Sequence, residues 1–215
     1  MAPGIYKTFK KSLRDNLNKY LDYSADSDDI KEDVEFRIES IINMDYDALD
    51  KLLLSVDYDS IDSVLPSNKI IENSIRDTEK QCYQAMEGII HNLNTLNSRA
   101  GAQTPFSSIN LGTDTSNAGR MVTKNLLLAL EAGLGNGETS IFPIVIFKVK
   151  DGVNYFPEDR NYDLLQLSYR VTAKRLFPNY VFLDSPFNFQ YYKPGHPETE
   201  VATINNPVAV YSNIC

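Results

Sequence analysis

Ile141-Phe-Pro-Ile-Val-Ile-Phe-Lys-Val-Lys150 decides the fold. It is an almost unbroken β-branched and aromatic run of strand length, the composition of a strand covered on both faces. Pro143 cannot donate to a ladder and argues against a central place in the sheet. Upstream, residues 120–134 form a strongly apolar helical segment ended by Gly133, Gly135 and Gly137, which suit a left-handed cap. Downstream, a loop at 151–161 leads to a helical pattern over 162–176, stopped by Pro178, and then to a short strand at 180–184. Farther upstream, residues 105–111 have strand composition, and 112–118 supply turn and N-cap residues. Strand, helix, strand, helix, strand at these intervals predicts an α/β sheet with crossover helices. Three strands are too few to close a barrel.

The amino-terminal third reads differently. Ile5, Phe9, Leu13 and Leu17 recur at helical spacing with Lys7, Lys10, Lys11 and Arg14 on other faces, so residues 5–20 form a basic amphipathic helix. Pro3 suits its first turn. Ile30, Val34, Ile38, Ile41 and Ile42 mark a second helix, residues 45–56 a shorter third, and residues 68–97 a longer fourth. Residues 57–68 read as a surface connection. Acids crowd residues 22–62, which look like a solvated helical insertion. The expected division is a helical cap and dimer-interface region over 1–67, a sheet-bearing region over 68–203 and a divergent tail over 204–215.

Composition excludes several function classes. The net charge of -8 opposes a duplex nucleic-acid binder, which needs a clustered basic surface. No run of 18 apolar residues and no signal-peptide pattern occurs, so the expected compartment is cytoplasmic, with no membrane partner. Two cysteines, Cys82 and Cys215, cannot supply a four-thiolate metal set. Cys82 reads as a small buried hydrophobe, and His91 and His196 share no ligand spacing. HExxH, GxSxG, GxxxxGK and GxGxxG are all absent. Gly133-Leu-Gly-Asn-Gly137 ends a helix, where the dipole has the wrong sign for an anion, and reads as a cap.

From residue 84 to 203 an ordered set of local words accumulates. Gln84-Ala-Met-Glu-Gly-Ile-Ile-His91 is followed by Ser98-Arg-Ala-Gly-Ala-Gln-Thr-Pro-Phe-Ser-Ser-Ile-Asn110, Gly112-Thr-Asp-Thr115 and Glu131-Ala-Gly-Leu-Gly-Asn-Gly-Glu-Thr139. Lys148-Val-Lys-Asp-Gly-Val-Asn154, Ala173-Lys-Arg-Leu-Phe-Pro-Asn179 and Tyr192-Lys-Pro-Gly-His-Pro-Glu-Thr-Glu-Val-Ala202 complete it. The set resembles the anaerobic, glycyl-radical ribonucleoside-triphosphate reductases, and Met1-Ala-Pro-Gly4 with Lys7-Thr-Phe-Lys10 resembles a stretch well inside the same family's chain. The resemblance implies α/β architecture, as part of a ten-stranded α/β barrel. It implies reduction of ribonucleoside triphosphates by thiyl and glycyl radical chemistry, with formate as reductant, dNTP or ATP effectors, zinc in the full-length enzyme, a homodimer and a radical-SAM activating enzyme. Such a fold must hold the ribose in a site that excludes water and oxidants.

By the same resemblance, Ser98, Arg99, Ala100, Gly101, Ala102 and Gln103 form a loop between allosteric nucleotide and substrate base. Gly101 permits close backbone approach, Arg99 can fork or stack on a base, and Gln103 can read a base edge. A tight connection with a solvated arginine is the competing reading, and Asn97 departs from the histidine often found there. Ser107, Ser108 and Asn110 lie on the following strand, where a phosphate or ribose could partner them, as could backbone caps. Lys7 and Lys10 could meet effector phosphates or form a solvated basic face.

After Thr203 the chain reads Ile204-Asn-Asn-Pro-Val-Ala-Val-Tyr-Ser-Asn-Ile-Cys215, where the family continues into a Met-Gly-Cys-Arg-Thr-Arg finger loop bearing the thiyl cysteine. No catalytic residue is therefore assigned. The expectation is a piece of a split, interrupted or decayed reductase, inactive in isolation and associating with other reductase fragments. The alternative is a non-catalytic fragment that binds nucleotide effectors or dimerises.

Overall fold

The structure is a computed structural model that describes residues 2–54, 65–96, 105–190, 192–193, 202–203 and 209–210. It divides into two compact units, one of residues 1–84 with 116–122 and one of residues 85–115 with 123–215.

The first unit is helical. It contains α1 (Ala2–Tyr23), α2 (Asp28–Ile42), α3 (Tyr46–Leu54), most of α4 (Pro66–Thr95) and the start of α5 (Asn117–Ala132). The spacing that predicted each helix selects its buried face: Ile5, Phe9, Leu13 and Leu17 from α1, Val34, Ile38, Ile41 and Ile42 from α2, Leu49 from α3, and Ile70, Ile71 and Ile75 from α4. Cys82 is buried as expected. Polar groups inside this unit are paired. Asn16 donates to Ser74 Oγ at 3.1 Å and to Asp77 Oδ2 at 3.0 Å. The Asp50 carboxylate accepts the backbone N–H groups of Asn117 and Ala118 at 2.9 and 3.0 Å and the Tyr6 hydroxyl at 2.8 Å. An internal carboxylate thus satisfies donors at the start of α5, which its helix leaves unpaired.

The second unit carries a three-stranded parallel sheet in the order β1 (Ser108–Leu111), β2 (Ile144–Val149), β3 (Asn179–Phe182). The crossovers are α5 and α6 (Tyr162–Arg175), so the expected alternation of strand and helix is observed. β2 is the central strand of the three, correcting the expectation drawn from Pro143. The proline precedes the strand, whose ladder starts at Ile144, so no ladder donor is lost. A short helix, α7 (Pro186–Phe189), and the two-residue strands β4 (Ala202–Thr203) and β5 (Ala209–Val210) were not anticipated.

Register sorts the side chains. Ile109, Leu111, Val145, Phe147, Val149 and Tyr180 share one face, because Ile109 aligns with Val145, and Leu111 with Phe147 and Tyr180. That face meets α6: the Tyr180 hydroxyl lies 3.1 Å from Ser168 Oγ and 2.8 Å from Thr172 Oγ1. α6 is in turn fastened to the end of α5. Arg170 forms a bidentate pair with Glu131 at 3.0 and 2.7 Å. Arg175 donates to the carbonyls of Glu131, Ala132 and Gly137 at 2.6–3.1 Å. With Gly133, Gly135 and Gly137 all at positive φ, the carboxyl end of α5 is a cap and turn, as its sequence indicated.

Candidate functional site

The other face of the sheet is where polar groups gather. Period two and the ladder register place Ser108 and Asn110 of β1, and Ile144, Ile146 and Lys148 of β2, on the face turned away from Tyr180. Ser108 and Asn110 are half-buried, and Lys148 is only 9% exposed in an otherwise apolar strand. A lysine held there needs a partner to offset its desolvation, and Lys148 is not without one. Sequence reasoning passed over Lys148, although one cation inside Ile144-Val-Ile-Phe-Lys-Val149 was the signal available. Asn110 also engages a partner, while Ser107 makes a long 3.4 Å bond to the Pro105 carbonyl, closer to the backbone-capping reading.

Ser98, Arg99, Ala100, Gly101, Ala102 and Gln103 lie outside the described residues. The segments flanking them are described, and both attach to one dipeptide. On the α4 side, the Asn94 carboxamide accepts from the Ile141 and Phe142 N–H groups at 2.8 and 3.1 Å and donates to the Phe142 carbonyl. On the β1 side, the Phe106 ring meets the Phe142 ring edge-on at 5.4 Å. Ile144 N–H then bonds the Ser107 carbonyl at 2.9 Å, beginning the ladder. The residues either side of the expected specificity loop are thereby tied to the start of β2, a role for Asn94 and Phe142 that no local pattern announced.

The carboxyl end of the sheet is tied as closely. Asn154 donates to the carbonyls of Gly112 and Lys148 and accepts from the Lys150 N–H, while Asn161 donates to the carbonyls of Gly112 and Asp114. Gly112 has φ of 116°, and a Cβ there would sit 2.6 Å from the Lys148 carbonyl oxygen, so only glycine fits.

Lys7 and Lys10 lie on α1 in the helical unit. Lys7 is exposed. Lys10 donates to the Met44 carbonyl at 2.9 Å, and its ammonium lies 5.8 Å from the Tyr46 ring centroid, which itself stacks on Tyr6 at 4.8 Å. The structure therefore separates the two lysines by role: one solvated, one engaged in packing the helices. Among the described residues no group of three or more histidine, cysteine or acidic side chains could hold a metal, and no helix is long and apolar enough to cross a membrane.

Fold and site together define a mixed α/β protein whose small parallel sheet presents Ser108, Asn110 and Lys148 on one face. The chain belongs to the anaerobic ribonucleoside-triphosphate reductase family, whose sequence model matches residues 2–204. It is 38% identical over 108 residues to the anaerobic ribonucleoside-triphosphate reductase of Salmonella typhimurium, a match covering 50% of this chain and 15% of that one. The Escherichia coli reductase is 37% identical over 108 residues with the same coverage, and that of phage T4 is 41% identical over 105 residues, covering 48% of this chain and 17% of its own. The matches thus span about a sixth of the length of these curated relatives.

Proposed function

We propose that this chain is a segment of the catalytic subunit of an anaerobic ribonucleoside-triphosphate reductase and supplies part of the wall of a ten-stranded α/β barrel. The carrying observation is the asymmetry of the sheet: α6 meets the Tyr180 face, while the opposite face carries Ser108, Asn110 and Lys148 among Ile144 and Ile146. A parallel sheet is ordinarily covered on both faces. A barrel wall meets that requirement with helices outside and a closed, substrate-bearing interior.

In this reading Ser108, Asn110 and Lys148 face a ribonucleoside triphosphate. The loop of Ser98, Arg99, Ala100, Gly101, Ala102 and Gln103 passes between substrate base and a deoxynucleotide effector, and the flanking segments are held through Asn94 and Phe106. Residues 1–67 form the helical region near a homodimer interface, with Lys7 the lysine free to meet effector phosphates. The chain's part is to bind and orient nucleotide. The glycyl radical, its radical-SAM activating enzyme, formate and zinc act through residues that this segment does not supply, since its two cysteines stand outside the family's finger-loop word. The isolated chain therefore turns over no nucleotide.

Two measurements test this. Thermal-shift titration with dATP, dTTP and dGTP raises the unfolding midpoint with dose if an effector site is retained, because a ligand of the folded form stabilises it by mass action. No shift with any of the three counts against effector binding by this segment. Turnover of a ribonucleoside triphosphate by the purified chain with activating enzyme and formate would overturn the assignment of the radical residues elsewhere.

A further inference from the structure

The two asparagines of the 150–161 loop are buried to 0% exposure, and both point at one carbonyl. Asn154 Nδ2 donates to Gly112 O at 3.0 Å and to Lys148 O at 2.9 Å, while its Oδ1 accepts the Lys150 N–H at 2.9 Å. Asn161 Nδ2 donates to Gly112 O at 3.1 Å and to Asp114 O at 2.9 Å. The β1 and β2 ladder ends at Leu111 and Phe147, so Gly112 and Lys148 are the next residues along each strand. Asn154 therefore bridges the strands where their ladder stops. Asn161 sets the course of the turn that follows β1.

Burying two carboxamides and a glycine of positive φ at one point is costly unless a defined geometry results. The point is the carboxyl edge of a parallel sheet, the edge at which open α/β sheets bind ligands. It is two residues from Asn110, and it includes the backbone of Lys148. We propose that Asn154 and Asn161 are positioning residues for nucleotide recognition. They hold the carboxyl ends of β1 and β2 at a fixed separation, so that Asn110 and Lys148 present one donor set to the bound ribonucleotide. This inference rests on the proposed function and extends it to residues that need not touch the nucleotide.

The test uses the full chain and CTP as probe. In wild-type protein, CTP shifts the NMR resonances of the Gly112–Asp114 backbone amides and of the Asn154 and Asn161 carboxamides. Asn161→Ser and Asn154→Ser each weaken CTP binding by about tenfold, the scale of one net hydrogen bond lost from a pre-formed site. Arg175→Lys, a packing change at the far end of α5, leaves CTP affinity within about twofold while lowering the thermal midpoint, as additivity of distant sites requires. CTP binding with those resonances unmoved, or serine variants that bind like wild type, overturns the positioning role alone. The resonance test needs no variant to fold. Absence of CTP binding by the wild-type chain overturns both this inference and the substrate-facing assignment beneath it.

Discussion

Replacing Gly112 by alanine should be among the most damaging single-methyl additions available to this chain. The backbone there has φ of 116°, outside the region L-residues occupy comfortably, and holding a non-glycine residue in such a conformation costs about 1–3 kcal/mol. The added Cβ would lie 2.6 Å from the Lys148 carbonyl oxygen and 3.1 Å from Phe147 Cε1. Neither neighbour can yield cheaply, since one is backbone in the central strand and the other a fully buried ring. Relief must come from moving the turn, and that lengthens the bonds from Asn154 and Asn161 to Gly112 O, each worth about 1 kcal/mol net. The sum is about 3–5 kcal/mol, a large share of the 5–15 kcal/mol typical of folded proteins. At a denaturant slope of about 2–3 kcal/mol/M, the urea midpoint falls by about 1–2.5 M. Hydrogen exchange at the β2 amides should report the same loss locally. Gly88→Ala is the internal control: it adds a Cβ in α4 with nothing within 4 Å and should stabilise by up to about 1 kcal/mol. A Gly112→Ala loss under about 1 kcal/mol would refute the claim that the turn is pinned between β2 and the two asparagines.

Two further outcomes are expected. Arg175→Ala removes the guanidinium that bonds the last carbonyls of α5 and the Gly137 carbonyl, and should destabilise by about 2 kcal/mol in urea unfolding. Arg175→Lys, with a point charge in place of the fork, should recover less than half of that. The second outcome concerns pH. The hydrogen bond from Tyr20, then that from Ser24, holds the Asp26 carboxyl below its ordinary value, and partial burial followed by the bond to Asp26 raises the Tyr20 phenol above its own. A depressed carboxylate gives stability that is present above its unfolded pKa and lost as pH falls through the folded one. A raised phenol gives stability that is present below its unfolded pKa and lost as pH rises through the folded one. Tyr20→Phe should therefore move the Asp26 titration upward in carboxyl-detected NMR, and an unmoved titration would remove Tyr20 as its cause.

Much of the fold was legible because the information is periodic. The apolar repeats of α1, α2 and α4 and the β-branched run of β2 each write one buried face into neighbouring residues, and α5 and α6 announce their ends with Gly133 and Pro178. Pro143 misled because local composition does not say on which residue a ladder begins. The tethers of the site were not legible at all. Asn94 acts on residues 47 and 48 positions away, Asn154 on one 42 away, and Asn161 on ones 47 and 49 away, and all act through backbone groups common to every residue. Such bonds leave no mark at the partner's position. Gly112 is the exception, since only a glycine could stand against Lys148. Asn110 and Ser108 were singled out from the family's words, whereas Lys148 needed the register to put it on their face.

The sheet has two unlike faces, and β2 is covered on both, as its composition indicated. Five of its six residues are buried, and α6 meets the Tyr180 face. Ile146 at 3% exposure and Lys148 at 9% belong to the opposite face, which this chain covers at those positions. That face mixes Ile144 and Ile146 with Ser108, Asn110 and Lys148, and burying the amide and the ammonium is costly without partners. The proposed function assigns Asn110 and Lys148, with Ser108, to a wall enclosing a polar substrate. The two site proposals share one physical condition: that the turn behind Gly112 keeps the carboxyl ends of β1 and β2 in register.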